Sequence, residues 1–164
     1  MKHELTMTVN GEARELTVDA HRSLLDALRN EAGLTGTKKG CDVGECGSCT
    51  VLLDGEPVCS CLVLAVEANG RDVVTIEGIQ PASDKLHVLQ DQFMRRGAAQ
   101  CGFCTPGFIV AAKALLDRNP RPSIDEIRFA IAGNICRCTG YTKIIEAIDA
   151  AARELRGETT GAAT

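Results

Sequence analysis

Leu5, Met7 and Val9 alternate with polar residues near the start of the chain, the period-two pattern of a strand with one buried face. Asn10-Gly11 follows, a dipeptide that readily takes the left-handed conformations of a tight hairpin, so a second strand is expected near residues 14–18. The period then changes. Ser23 stands where an N-cap would, Leu24, Leu25, Ala27 and Leu28 gather on one helical face, and Gly33 ends the segment. Residues 39–49 lose all periodicity and fill with Gly and Cys. Strands are expected again at 50–53 and 57–66, around the Asp54-Gly55 turn, with a short one at 73–76.

Residues 78–84, with Pro81, read as a connection, and the pattern beyond is helical. Leu86, Leu89 and Phe93 share one face of a first helix, stopped near Gly97. Pro106 fits the first turn of a second, which carries Ile109, Val110, Ala114 and Leu115 and ends at Asn119-Pro120. Ser123 with Glu126 three residues on is a capping box for a third, which Gly133 stops. Thr142 is expected to cap a fourth, with Ile144, Ile145 and Ile148 on its buried face. The pattern predicts an α+β chain with a strand-rich domain at 1–78, a linker at 79–84, a helical domain at 85–156 and a disordered tail at 157–164.

Composition adds a constraint. Two domains drawn from 164 residues, with 3% aromatics and no Trp, are marginal by core burial alone, and a metal centre is one staple that would help. A net charge of −4 argues against nucleic acid as a partner, since phosphate binding needs a basic face. No apolar run reaches the 18 or so residues of a membrane span. The first residues show neither a secretory pattern nor a twin-Arg pair, so a cytoplasmic location is expected. There are nine cysteines, an odd number that cannot pair fully within one chain. In a reducing compartment, clustered cysteines point to metal ligation or redox chemistry.

Their spacing is informative. Cys41, Cys46 and Cys49 give C-x4-C-x2-C, and Cys61 follows after eleven intervening residues, the plant-type spacing for a [2Fe–2S] cluster. Structural zinc sites more often use paired C-x2-C knuckles, so the x4 gap favours iron. Gly40, Gly44 and Gly47 let such a loop turn N–H groups toward anionic sulfur. Cys59 lies two residues before Cys61, on the same face if this is a strand, and spacing does not choose between them. Whichever is not a ligand is a small buried hydrophobe. In the helical half, Cys101 and Cys104 give C-x2-C, and Cys136 and Cys138 give C-x-C after a gap of 31 residues. Each pair precedes an expected helix, whose N-terminal dipole favours an anionic group. From these residues alone, this second four-thiolate site suits zinc or iron.

The run Cys41-Asp42-Val43-Gly44-Glu45-Cys46-Gly47-Ser48-Cys49-Thr50 resembles the ferredoxin-type loop of the molybdenum hydroxylases. Gln100-Cys101-Gly102-Phe103-Cys104-Thr105-Pro106-Gly107 and Asn134-Ile135-Cys136-Arg137-Cys138-Thr139-Gly140-Tyr141 are similar to that family's second-cluster signatures. The likeness runs from about residue 5 to residue 152. It implies a β-grasp ferredoxin-like domain followed by a four-helix domain, each with a [2Fe–2S] cluster. It points to Cys61, in Ser60-Cys61-Leu62, as the fourth ligand of the first cluster, leaving Cys59 spare. It makes Cys101, Cys104, Cys136 and Cys138 the ligands of the second, with Gln100 and Cys138 close to a molybdopterin. The implied assembly is a heterotrimer, or a dimer of heterotrimers. Its large subunit would hold the molybdopterin, expected as the cytosine dinucleotide form, and its medium subunit would hold FAD, or an alternative electron-acceptor subunit would stand in its place.

The chain has no candidate molybdopterin domain and no strand–GxGxxG–helix unit, so it is expected to carry electrons and to have no catalytic residues of its own. A free-standing ferredoxin-like shuttle and a zinc-binding interaction module are the competing readings. A shuttle needs only one cluster, and the zinc module would be colourless and contain no iron. Lys38, Lys39 and Arg137 are expected as solvated charges or partner contacts, His3, His21 and His87 as surface or satisfied side chains, and Tyr141 as core packing.

Overall fold

The computed structural model describes residues 1–80 and 84–159. Residues 81–83 of the expected linker and 160–164 of the expected tail lie outside the described residues. A five-stranded mixed sheet runs in the order β2-β1-β5-β3-β4. Strands β1 (Lys2–Val9) and β2 (Glu12–Asp19) pair antiparallel in full register. Asn10 and Gly11 between them both take left-handed φ values, 54° and 82°, the geometry that matches the twist of a hairpin. Strand β3 (Thr50–Leu53) pairs antiparallel with β4 (Glu56–Cys59) and β5 (Asp72–Val74), and β5 runs parallel to β1.

The Ser23 hydroxyl accepts the Asp26 N–H and starts α1 (Leu24–Asp26), which continues as a π-helical turn over Ala27–Glu31. Leu24, Leu25, Ala27 and Leu28 are all fully buried, as the helical pattern requires. Leu24, Ala27 and Leu28 close a core with Leu5, Met7, Val9, Val51, Leu53 and Val73 on one side of the sheet.

Four helices follow: α2 (Val88–Arg95), α3 (Thr105–Arg118), α4 (Ile124–Ala130) and α5 (Thr142–Leu155). Helix α3 packs on β3, and Leu52 joins a second core with Phe93, Phe108, Ile127, Ile144 and Ile148. Three of the four buried β3 residues are covered for this reason: Val51 and Leu53 serve one core, and Leu52 serves the other. Strand β3 is thus a shared wall between the strand-rich and helical halves.

Four expectations change. The short strand expected at 73–76 runs instead over Asp72–Val74, and a 3-10 turn begins at Ile76. The strand expected at 57–66 stops at Cys59, because the chain turns there. Leu62 N–H bonds back to the Cys59 carbonyl, and Ser60, completely buried, donates its hydroxyl to the Cys49 carbonyl. Cys61 therefore sits in a turn rather than on a strand with Cys59. Leu86 is half exposed and lies outside α2, whose start is capped instead by His87. The His87 Nδ1 accepts the Leu89 N–H, and Gln90 accepts the His87 N–H. Finally, Thr142 is the first residue of α5 rather than its cap, and Tyr141 holds the cap position.

Candidate metal centres

The 41–49 segment wraps without regular structure, turning through left-handed residues Asp42, Gly44 and Gly47. The turn points the N–H groups of Val43 and Cys46 at Cys41 Sγ, at 3.5 and 3.4 Å. These amides, Val43's first, pull the Cys41 thiol down to about 7. Cys49 is buried at the end of the loop, immediately before β3. Burial first, and then the neighbouring Cys49, pushes the Cys61 thiol up to about 12. The same two causes, in the same order, raise Cys59. Both thiols therefore lie against Cys49, and the Cys59 S–H donates to the Gly44 carbonyl at 3.7 Å.

In the helical half, Cys104 is the N-cap of α3, and Cys136 and Cys138 lie in the loop that enters α5. Cys138 Sγ is 3.6 Å from Cys101 Sγ. Burial, followed by a contact with Cys136, raises Cys104 to about 12. Cys138 is raised chiefly by its contact with Cys101. Burial acts to raise Cys136, but the Thr139 hydroxyl and amide and the Cys138 amide outweigh it and leave that thiol lowered. Cys138 thus meets Cys101, and Cys104 feels both Cys136 and Cys101.

The two loops also touch each other. The Ile135 N–H donates to the Cys46 carbonyl at 2.9 Å, across 89 positions of sequence. Asn134 is buried and donates its Nδ2 to the Gly47 carbonyl at 2.9 Å and the Thr50 hydroxyl at 3.3 Å. Gly107, in the first turn of α3, lies so near this contact that a Cβ there would meet the Gly47 carbonyl at under 3.0 Å. Neither Asn134 nor Gly107 stands out from spacing or periodicity, because each acts on a backbone group far away in sequence. Tyr141 packs its ring edge-on to Phe108 at 6.3 Å, as expected of a core residue. Its hydroxyl also accepts the Cys136 N–H at 3.1 Å, a role its type and position did not announce.

The remaining expected side chains are peripheral. Lys39 pairs with Asp26 and Asp42, and Lys38 donates to the Thr35 carbonyl. Gln100, Phe103, Arg137 and Cys138 are each exposed. Val43 and Leu62 are exposed beside the first cysteine group.

The donor chemistry suits iron–sulfur clusters. Both groups offer soft thiol ligands with no carboxylate or imidazole among them. Cys41 and Cys136 already receive the N–H and O–H donors that a thiolate needs when it binds metal. Beside Cys104, the Thr105 hydroxyl is buried with no protein partner, as a donor to a bound cluster would be.

Residues 7–73 match a 2Fe-2S iron-sulfur cluster binding domain, and residues 75–149 match a [2Fe-2S] binding domain. The chain is 49% identical over 148 residues to the nicotinate dehydrogenase small FeS subunit of Eubacterium barkeri, covering 90% of this chain and 93% of that one. The chain belongs to the iron–sulfur subunits of the molybdenum hydroxylase family. Within that family, a subunit of quinoline 2-oxidoreductase from Pseudomonas putida 86 superposes with a TM-score of 0.90 at 50% identity, covering 96% of this chain and 99% of that one. The aldehyde oxidoreductase of Megalodesulfovibrio gigas is 47% identical over 156 residues, 93% of this chain but 17% of that longer polypeptide. A molybdenum hydroxylase iron–sulfur subunit of this kind is a component of an oxidoreductase complex, and both of its halves are [2Fe–2S]-binding domains. Among the described residues of this subunit, no helix is long and apolar enough to cross a membrane.

Proposed function

We propose that this subunit relays single electrons between a molybdopterin centre and FAD carried on partner subunits of a cytoplasmic heterotrimer, or of a dimer of such trimers. In this reading Cys41, Cys46, Cys49 and Cys61 hold the first [2Fe–2S] cluster, and Cys101, Cys104, Cys136 and Cys138 hold the second. Each bound cluster accepts and gives up one electron at a time. The second faces the large subunit, whose molybdopterin, in the cytosine dinucleotide form, meets Gln100 and Cys138. The first faces the medium, FAD-binding subunit. In the hydroxylase direction electrons run from molybdenum to the second centre, then to the first, then to FAD.

One observation supports this reading above the others: the hydrogen bond from the Ile135 N–H to the Cys46 carbonyl. It joins the backbone of one proposed ligand to the residue beside another. A continuous bonded route then runs from Cys136 Sγ along the chain to the Ile135 N–H, across to the Cys46 carbonyl and out to Cys46 Sγ. The remaining residues hold that route in place. Asn134 and Gly107 fix the contact between the loops, and the exposed Phe103 and Val43 give each centre an apolar margin for docking.

Purified complex reduced by its substrate tests the proposal. Two distinct [2Fe–2S] EPR signals are expected. Cys46→Ser should abolish one and stop flavin reduction, while molybdenum remains reducible by substrate. A colourless chain with zinc and no iron would overturn the proposal, as would recovery of this chain only as a monomer from active extract.

A further inference from the structure

The six residues from Cys136 to Tyr141 form a closed circuit of hydrogen bonds around one sulfur. The Thr139 hydroxyl donates to Cys136 Sγ at 3.1 Å, and the Thr139 N–H donates to the same atom at 3.4 Å. The Tyr141 N–H donates to the Thr139 Oγ1 at 3.2 Å, and the Cys136 N–H closes the circuit on the Tyr141 hydroxyl at 3.1 Å. The bond from the Tyr141 N–H fixes the direction of the Thr139 hydroxyl. It occupies an acceptor position on Oγ1 and leaves the hydroxyl proton directed at sulfur. A metal-bound Cys136 is a thiolate with no proton to give, so the hydroxyl is necessarily the donor. Among the described residues, no other cysteine sulfur receives a hydroxyl.

The circuit holds a strained residue. Tyr141 sits at φ 71°, in the left-handed region that a bulky aromatic side chain rarely enters. Such a conformation persists only where its surroundings over-determine it. Here the phenol bond to Cys136 and the edge contact with Phe108 do so.

We propose that Thr139 is a positioning residue that sets the electron affinity of the second centre, with Tyr141 holding its hydroxyl on the Cys136 sulfur. The inference rests on the reading of Cys136 as a [2Fe–2S] ligand. Adding one electron increases the negative charge shared by the ligand sulfurs. A hydroxyl donor then stabilises the reduced state more than the oxidised state and raises the potential. The electron enters and leaves without a proton: the hydroxyl hydrogen stays on Oγ1 throughout.

The test is a redox titration of the intact complex followed by EPR, in which the two centres are read separately. Thr139→Val keeps the side-chain shape and the amide bond but removes the hydroxyl. It should shift the equilibrium electron distribution away from the second centre by roughly three- to tenfold, where tenfold corresponds to about 59 mV for one electron. The first centre should titrate as before, and Thr139→Ser should restore the original distribution. Thr139→Ala replaces the valine variant if that variant fails to load iron. If neither loads, pulsed EPR of the unsubstituted complex in D2O reads the hydroxyl proton as a strongly coupled exchangeable proton on the second signal, over and above that of the Thr139 amide. An unshifted distribution in a fully loaded valine or alanine variant overturns the role of Thr139, as does the absence of that proton. Absence of iron signals from the unsubstituted complex would instead defeat the electron-relay reading itself.

Discussion

Replacing Gly107 by alanine puts one methyl group into the contact between the two cysteine loops. The added Cβ would stand under 3.0 Å from the Gly47 carbonyl, 3.1 Å from Asn134 Nδ2 and 3.2 Å from Ser48 Cα. Its nearest neighbour is backbone, so no side chain can swing aside, and ordinary contact begins at 3.4 Å. The seam must therefore open by roughly half an ångström or more. Overpacking of this kind costs about 1–3 kcal/mol. Weakening the Ile135–Cys46 hydrogen bond, now 2.9 Å, adds about 0.5–1.5 kcal/mol. Alanine recovers about 1 kcal/mol of helix propensity, leaving a net loss of roughly 0.5–3.5 kcal/mol. For a chain of this length that is a fall in Tm of about 1–14 °C. Gly133→Ala is the control: a Cβ there meets nothing within 4 Å and its φ lies outside the left-handed range, so its change should stay within about 0.5 kcal/mol. Thermal scans at one heating rate, followed by far-UV circular dichroism and visible absorbance, measure both variants. If Gly107→Ala unfolds within about a degree of Gly133→Ala, the seam is not held by backbone contact and the reasoning fails.

Two further outcomes are expected. The Asp72 N–H, followed by the Arg71 guanidinium, holds the Asp54 carboxyl below its ordinary range. The stability this contributes is complete above the unfolded pKa of about 3.9 and is lost as pH falls through the lower folded value. Asp54→Asn should accordingly be less stable at neutral pH and converge with the parent in strong acid; a gap that does not change with pH would contradict the assignment. Cys59→Ser replaces a thiol donor to the Gly44 carbonyl with a hydroxyl and should keep full iron content and both EPR signals. Loss of the first signal would make Cys59, rather than Cys61, the fourth ligand.

Periodicity and turn chemistry revealed most of the fold. The Asn10-Gly11 hairpin, the Ser23 cap and the Ser123–Glu126 capping box all form as their residue types dictate, because each is a local device. The extent of β4 was not legible. Residues 57–66 are apolar enough for a strand, but the chain is turned at Cys59–Leu62 by bonds from Ser60 to Cys49, eleven residues back. The pairs Cys101/Cys104 and Cys136/Cys138 are visible as short spacings, but the 3.6 Å approach of Cys138 to Cys101 is not, because it joins positions 37 apart. The seam between the groups was hidden for the same reason. Asn134 and Ile135 reach carbonyls 87 and 89 positions away, and no window along the chain contains both ends. Likewise, a tyrosine at 141 announces a large apolar ring but not a left-handed backbone or a hydroxyl bonded to the Cys136 amide.

The contact between the loops is made largely by residues with little or no side chain. Gly47 and Gly107 meet through their main chains, and the Ile135–Cys46 bond is main chain on both sides. The spacing of the two cysteine groups therefore depends on few side chains, Asn134 foremost among them. Helix faces, surface charges and the apolar margins around each centre can all be exchanged without altering it. A protein built this way can be refitted to different partners while the distance between its two cysteine groups stays constant.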